Sequence, residues 1–468
     1  MRDGEVTDFR MEKDTLGEVR VPKDALYGAQ TQRARENFAI SGLPPQRDYL
    51  WGMIMIKKAA ALANMDTGRL DKKIGEAIVE AADEALAGKL DDHFVIDPWQ
   101  AGAGTSHNMN VNEVLATRAS QILKAEESVH PNDHVNMAQS SNDTNPTAAR
   151  LAALRVLPSL LEALEGLRDT LATKAREFDD VVKVGRTHLQ DAVPIRLGQE
   201  FSGWAAGIGA AIERIEAASE ALKEMPLGGT AAGTGINAEP AYIDGVVQHL
   251  RDLTTWDLRK GENFFRLIQS AADIAHFSIS LRNAAIEISR IASDIRLLAS
   301  GPRTGLGEIV LPPVQPGSSI MPGKFNPSMA EMMNMVCFQV IGADEVVSLG
   351  AEHAQLDLNV FWPLFGFNVP FAMTILRNGV NAFVERCVAG IEADEERCRF
   401  LMEQSLMLVT ALTDYIGYEA AAKLAKKAHE ERKTIREVAL AEGVMSADEL
   451  DKVLDARPMT EPGVPGRS

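Results

Sequence analysis

Eight apolar residues, Ile274, Phe277, Leu281, Ala284, Ile288, Ile291, Ile295 and Leu298, recur at three- and four-residue steps without exception. A strand cannot use that period, because its side chains change face at every residue. The spacing draws one narrow apolar stripe along a long helix, of the kind that packs at a shallow angle against another long helix. A second run, Leu154, Leu157, Leu161, Leu164, Leu171, Ala175 and Phe178, keeps the same alternation and is broken only at Arg168. Segments 198–225 and 329–349 supply two further helices, and a fifth follows Asn359. The intervening helices are also apolar and rich in alanine, which favours a multi-helix bundle over an isolated two-stranded coil. The predicted fold class is all-α, with a mainly helical domain at 1–140, a central long-helix bundle at 141–392 and a small helical domain at 393–468.

Composition narrows the partners. The 468 residues are 46% hydrophobic and 24% charged, an ordinary balance for a chain that buries a core, and the 6% aromatic content suits helix packing better than a sandwich. A formal charge of -18 argues against nucleic acid or an anionic membrane as partner, since both demand a basic face. Cys337, Cys387 and Cys398 are odd in number and show no close pairing, so neither a disulfide framework nor a zinc knuckle is indicated and a reducing cytoplasm fits best. Residues 1–20 are charged without an apolar centre, unlike a secretory signal, and no apolar run of membrane-spanning length is expected anywhere.

Toward the ends the pattern shortens. Residues 51–87 read as two helices broken at Gly68, and Val21 to Ala25 as a turn leading into a helix. Gly443 reads as a helix stop, Ser446 to Glu449 as a capping box, and 458–468 as a loose tail.

Between the long helices lies a segment that no regular element can use. Gly317 to Pro327 reads Gly-Ser-Ser-Ile-Met-Pro-Gly-Lys-Phe-Asn-Pro, with glycine and proline breaks around two adjacent hydroxyls. Its glycines let backbone N–H groups turn toward a ligand, Lys324 supplies a point charge and Asn326 an amide, so the ligand should be an anion. Thr105 and Ser106 follow three small residues, where a hydroxyl and a backbone N–H can approach a carboxylate closely. Ser140, Ser141 and Asn142 offer two hydroxyls and an amide in succession, with Asp143 placed to orient them. His130 and His134 stand four apart, but Pro131 disfavours a helical ligand pair and no Cys or acidic partner completes a site. No catalytic metal and no cofactor are expected.

These segments together resemble the fumarase/aspartase superfamily. Gly317 to Pro327 is similar to its signature, and Gly102 to Asn110, Gln139 to Asp143 and Gly185 to Asp191 match further family segments in the family's order. The resemblance runs from about residue 10 to the C-terminus and implies a homotetramer with each site assembled from three subunits. It implies that Thr105, Ser106, Ser140, Ser141, Asn142, Thr187, Ser319, Lys324 and Asn326 bind a small dicarboxylate. It further implies that Ser318 is the base, that His188 contacts substrate and that Glu331 pairs with His188. The His130 to Asp133 run is similar to a secondary anion site of fumarases.

The implied chemistry makes physical demands. Taking a proton from the carbon next to a carboxylate builds a second negative charge on two oxygens, so donors and cations must already be in place. Lys324, Asn326, loop N–H groups and the hydroxyls at 105, 140 and 141 are available for that. A serine can serve as the base only if donors stabilise its alkoxide, and no elbow of the Gly-x-Ser-x-Gly kind supports a hydrolase. Gly102 to Ser106 and Asn334 to Gly342 look more like aspartate ammonia-lyases, whereas Gly228-Gly229-Thr230 and Ser140 to Asn142 look more like class II fumarases. The favoured function is elimination of ammonia from L-aspartate to give fumarate. The alternatives are hydration of fumarate to L-malate, a lyase for a substituted aspartate or succinate derivative, and a non-catalytic structural member. Phe325 where valine is usual, Asn145 where an aromatic is common, and an unusual Trp362 depart from both patterns.

Overall fold

The computed structural model describes residues 8–124 and 128–466. The chain opens with an antiparallel hairpin, β1 (Phe9–Asp14) and β2 (Gly17–Pro22), where the sequence pattern had indicated only turns. Gly17 takes φ +115 to close it, and Arg33 of α1 (Ala29–Asn37) bonds Asp14 at 2.7 and 3.0 Å, fastening the helix to the ribbon. Then come α2 (Arg47–Asp66) and α3 (Lys72–Leu86), separated at Gly68, which has the left-handed φ of +72 expected at a helix stop. They are followed by α4 (Thr105–Ile122) and the 37-residue α5 (Ser141–Glu177).

A second hairpin, β3 (Val182–Thr187) and β4 (Gln190–Arg196), leads into α6 (Leu197–Ser219). Short β5 (Glu224–Met225) and β6 (Arg259–Lys260) flank α7 (Pro240–Thr254), before α8 (Phe264–Gln269) and the long α9 (Ala272–Leu298). β7 (Ile309–Val310) precedes the signature loop, and α10 (Ser328–Glu352) and α11 (Trp362–Arg386) follow it. β8 (Glu392–Ala393) pairs with β7, and α12 (Glu395–Gln404), α13 (Thr413–Ile416), α14 (Tyr418–Glu431), α15 (Ile435–Ala441) and α16 (Ala447–Val453) close the chain. Among the described residues the fold is all-α with four two-stranded ribbons.

The chain divides into two interleaved compact units. The first holds the chain up to Leu161, Glu213–Ala285 and Phe338–Arg377; the second holds Glu162–Ile212, Ile286–Cys337 and the chain from Asn378 on. The five helices α5, α6, α9, α10 and α11 each contribute residues to both. All eight stripe residues of α9, from Ile274 to Leu298, are buried, which is what a strict three-four period requires of a packed helix.

In the first unit α2 packs on α3 and α7, and Gly52 lets α2 come so close to α5 that a Cβ there would lie 2.7 Å from the Ala148 carbonyl oxygen. Arg150 is fully buried, with its Nη2 on Asp273 at 3.0 Å and its Nη1 donating to the Ala221 carbonyl at 2.9 Å, while Nε has no hydrogen-bond partner among the described residues. In the second unit Asn334 of α10 donates to the Ser289 carbonyl of α9 at 2.9 Å and accepts from Arg296 at 3.0 Å.

The C-terminal helices surround their own core of Leu412, Leu424, Ile435, Val438 and Leu450. The capping box is present as expected: Ser446 and Glu449 exchange side-chain and backbone hydrogen bonds. The tail is not loose as far as Gly466. Gln199 holds the Thr460 carbonyl at 3.0 Å and Tyr415 holds that of Pro465 at 2.7 Å, so partners distant in sequence fasten a segment of weak local propensity; Arg467 and Ser468 lie outside the described residues.

One expectation about apolar runs is corrected. α10 is long and apolar enough, at a mean hydropathy of 1.3, to pass a length-and-composition test for a membrane span. Its Met333, Cys337, Val340 and Val347 are buried in the protein, while Met335 and Phe338 on another face are exposed. A helix apolar on more than one face produces that reading.

Candidate active site

In the first unit two helix N-termini converge. Ala103 and Gly104 take left-handed φ values of 57 and 73, which turn the chain sharply so that α4 begins at Thr105 without a side-chain cap. The first helical residue of α5 is Ser141, and the hydroxyls of Thr105 and Ser141 lie 3.2 Å apart. N-terminal N–H groups and the positive ends of two helix dipoles make such a place attractive to a carboxylate. Ser106 is buried directly behind Thr105. Ser140 Oγ accepts the N–H of Asn142 at 3.2 Å, and the Asn142 amide donates to the Ala231 carbonyl at 2.7 Å, so this amide braces a neighbouring loop.

Asp143 does orient its turn. Its carboxylate is fully buried and accepts the backbone N–H groups of Ser140 at 2.9 Å, Gly228 at 3.0 Å and Thr230 at 2.9 Å. Burial pushes its pKa up to about 6 against the pull of those bonds and of Lys57. Lys57 was not singled out from the sequence. Its ammonium is fully buried in α2 and donates to Asn108 at 2.6 Å, Asn136 at 2.9 Å and Gln139 at 2.9 Å, with burial bringing its pKa down to about 7. The available signal was its place among Met53, Ile54, Met55, Ile56, Ala59 and Ala60, where a cation can be buried only if polar partners meet it.

The remaining candidates belong to the second unit. Thr187 and His188 stand at the exposed tip of the β3–β4 hairpin, where His188 and Leu189 have φ of 57 and 60. Two successive non-glycine residues with positive φ cost about 1 to 2 kcal/mol each, strain of the kind that gathers at functional sites. Behind the tip, Arg186 and Lys183 converge on the fully buried Glu308.

The signature loop is held by its own backbone. Gly317 N–H donates to the Lys324 carbonyl at 2.8 Å, and the Asn326 amide donates to the Gly317 carbonyl at 2.7 Å. A Cβ on Gly317 would lie 2.5 Å from the Lys324 oxygen, so the loop can close only on glycine. Ser318 Oγ accepts two backbone N–H groups, from Met321 at 2.9 Å and Ile320 at 3.2 Å. Ser319 and Lys324 are exposed on the same loop, and Glu331 lies in the first turn of α10.

Among the described residues no hydrogen bond or ion pair joins His188 to Glu331, so a single copy of the chain does not itself form the pair implied by resemblance. His130 and His134 each use Nδ1 to accept a local backbone N–H, from Asp133 at 3.1 Å and His130 at 2.9 Å. No group of three or more metal-ligating side chains gathers among the described residues.

Residues 17–342 match a family model described as Lyase, and residues 408–461 match one described as Fumarase C C-terminus. An aspartate ammonia-lyase of Bacillus subtilis (strain 168) is 47% identical over 464 residues, covering 98% of each chain. A class II fumarate hydratase of Bacillus cereus is 44% identical over 459 residues, covering 97% of this chain and 99% of the relative. The crystal structure of a fumarate lyase:delta crystallin from Brucella melitensis, bound to cobalt, superposes with a TM-score of 0.93 at 45% identity, covering 97% of this chain and 100% of that one. Matched along nearly its whole length by both kinds of enzyme, the chain belongs to the fumarase/aspartase superfamily and is a lyase.

Proposed function

We propose that the protein reversibly eliminates ammonia from L-aspartate to give fumarate, with Ser318 as the base. The observation that carries this reading is the pair of backbone N–H groups on Ser318 Oγ, because an oxygen already holding two donors is one whose alkoxide is stabilised. Ser318 takes the β-proton, and the C–H electron pair moves into the adjacent carboxylate to give an aci-carboxylate dianion. Loop N–H groups and Lys324 offset that charge, each aligned donor contributing about 3 kcal/mol. The electron pair then returns to form the C=C bond as the C–N bond breaks and ammonia departs. The hydroxyls of Thr105, Ser140 and Ser141 add donors to the carboxylate that takes up this charge.

The resemblance of Gly102 to Ser106 and of Asn334 to Gly342 to aspartate ammonia-lyases supports ammonia as the leaving group. The second reading, hydration of fumarate, draws on Gly228-Gly229-Thr230, whose backbone Asp143 ties to the Ser140 turn. Purified protein given L-aspartate or L-malate, with fumarate followed by its ultraviolet absorbance, separates the two. Turnover of malate alone overturns the ammonia reading.

The working form is proposed to be a homotetramer with three copies contributing to each site, so that His188 meets Glu331 across copies. Exposed apolar side chains on the long helices, including Ile286 on α9 and Met335 and Phe338 on α10, support burial between copies. A monomer that is catalytically competent in sedimentation would refute the shared site. A reducing cytoplasm is the proposed compartment, in keeping with three free, buried thiols that burial pushes up to about 12.

A further inference from the structure

Asn145 is fully buried on α5, four residues after Ser141, and its amide is saturated by three elements. Nδ2 donates to the Ser141 carbonyl at 2.9 Å and to the Gly104 carbonyl at 3.3 Å. Oδ1 accepts the Tyr49 hydroxyl at 2.5 Å. The two carbonyls can only accept, which fixes Nδ2 toward them and leaves Oδ1 to the Tyr49 hydroxyl, whose proton burial retains. One side chain therefore bridges the main chain beside Thr105 to the main chain of Ser141, the two residues whose hydroxyls lie 3.2 Å apart.

The surroundings hold the bridge in place. Gly104 has φ +73, and a Cβ there would lie 2.2 Å from Asn145 Oδ1, so the close approach requires glycine twice over. The Tyr49 ring stacks on His107 of α4, with centroids 4.8 Å apart and planes 4° from parallel, and Gly366 of α11 leaves room for it. An aromatic side chain at 145 would fill volume but could not donate to two carbonyls.

We propose that Asn145, oriented by Tyr49, is a positioning residue that sets the spacing of the Thr105 and Ser141 hydroxyls and thereby the affinity for the substrate carboxylate they grip. This rests on the reading that these hydroxyls bind a carboxylate. Because these hydroxyls hold the carboxylate in bound substrate and meet more charge on it in the transition state, loss of the bridge weakens binding and lowers kcat/KM further.

The test compares wild type, Asn145→Leu and Tyr49→Phe as intact assemblies. It measures kcat and KM for the active substrate and, by calorimetry, the Kd of succinate, a dicarboxylate with no leaving group. The expected result for Asn145→Leu is a rise of about tenfold in succinate Kd with a larger fall in kcat/KM. Tyr49→Phe should show the same pattern, with succinate Kd raised about threefold, and it decides the matter if Asn145→Leu does not fold. A fall in kcat with KM and succinate Kd unchanged is the mark of a merely structural side chain and overturns the proposal. Succinate binding reads the bridge independently of the reaction, so a wild type that turns over neither L-aspartate nor L-malate would refute the lyase assignment of substrate without bearing on Asn145.

Discussion

Arg186 grips Glu308 through two parallel hydrogen bonds, of 2.9 and 3.0 Å, where the Glu308 carboxylate has no exposure to water. Lys183, also buried, reaches the same carboxylate at 3.2 Å. Glu308 immediately precedes β7, and Arg186 lies two residues before His188, so one buried anion ties the strained hairpin tip to the strand that leads into the signature loop. Removing it leaves the Arg186 guanidinium without its carboxylate and Lys183 with Glu200 alone, at 3.0 Å. Glu308→Ala should cost about 3 to 5 kcal/mol in urea unfolding at fixed protomer concentration. A loss under about 1 kcal/mol would show that the cluster does not hold the hairpin.

Ser318→Ala should bind a dicarboxylate about as well as wild type and lose turnover by roughly two to four orders of magnitude, because it deletes the oxygen that takes the proton and leaves the loop backbone intact. Ser319→Ala is the comparison, and should lose affinity more than rate. Stopped-flow turnover and succinate calorimetry read both variants. A larger loss of kcat in Ser319→Ala would move the base to the neighbouring hydroxyl.

Lys324 is exposed on the loop, and in the proposed reaction its charge offsets a carboxylate in the ground state and more strongly in the dianionic transition state. Lys324→Ala should therefore raise KM and lower kcat together, reducing kcat/KM by about a hundredfold or more. Steady-state kinetics that leave kcat/KM unchanged would remove Lys324 from the site.

Lys57 should leave a mark on stability against pH. In the unfolded chain it holds its proton to about 10.5, whereas the folded chain releases it near 7, so between those values the unfolded state binds more protons and this group makes stability rise with pH. Below about 7 both states carry the proton and the dependence vanishes; Asp143, the buried anion facing it, titrates near 6, under that window. Urea unfolding at pH 7.5 and 9 should show wild type gaining up to about 1.4 kcal/mol per pH unit relative to Lys57→Met. Parallel slopes for the two proteins would place the Lys57 pKa outside the window.

Much of the framework was legible because it depends on local periodicity and local hydrogen bonding. The stripe from Ile274 to Leu298 is buried at every position, Gly68 separates α2 from α3, and Ser446 caps α16 with Glu449. The β3–β4 hairpin was missed because its tip, Thr187-His188-Leu189-Gln190, lacks the glycine that usually marks a two-residue turn. The closing segment was missed for a different reason: Gln199 and Tyr415, far away in the chain, are what hold it.

By itself the sequence determined the long-helix class and the family, and it marked the candidate polar residues, since stripes, caps and contiguous motifs are written in neighbouring positions. Only the tertiary structure decided which of those residues meet. It brought the Thr105 and Ser141 hydroxyls to 3.2 Å, placed two N–H donors on Ser318, tied Lys57 to Asn108 and linked Asn145 to the Ser141 and Gly104 carbonyls. A hydroxyl or an ammonium has no preferred partner along the chain. What it bonds is settled when burial strips its water and the nearest complementary group, whatever its sequence number, has to replace it.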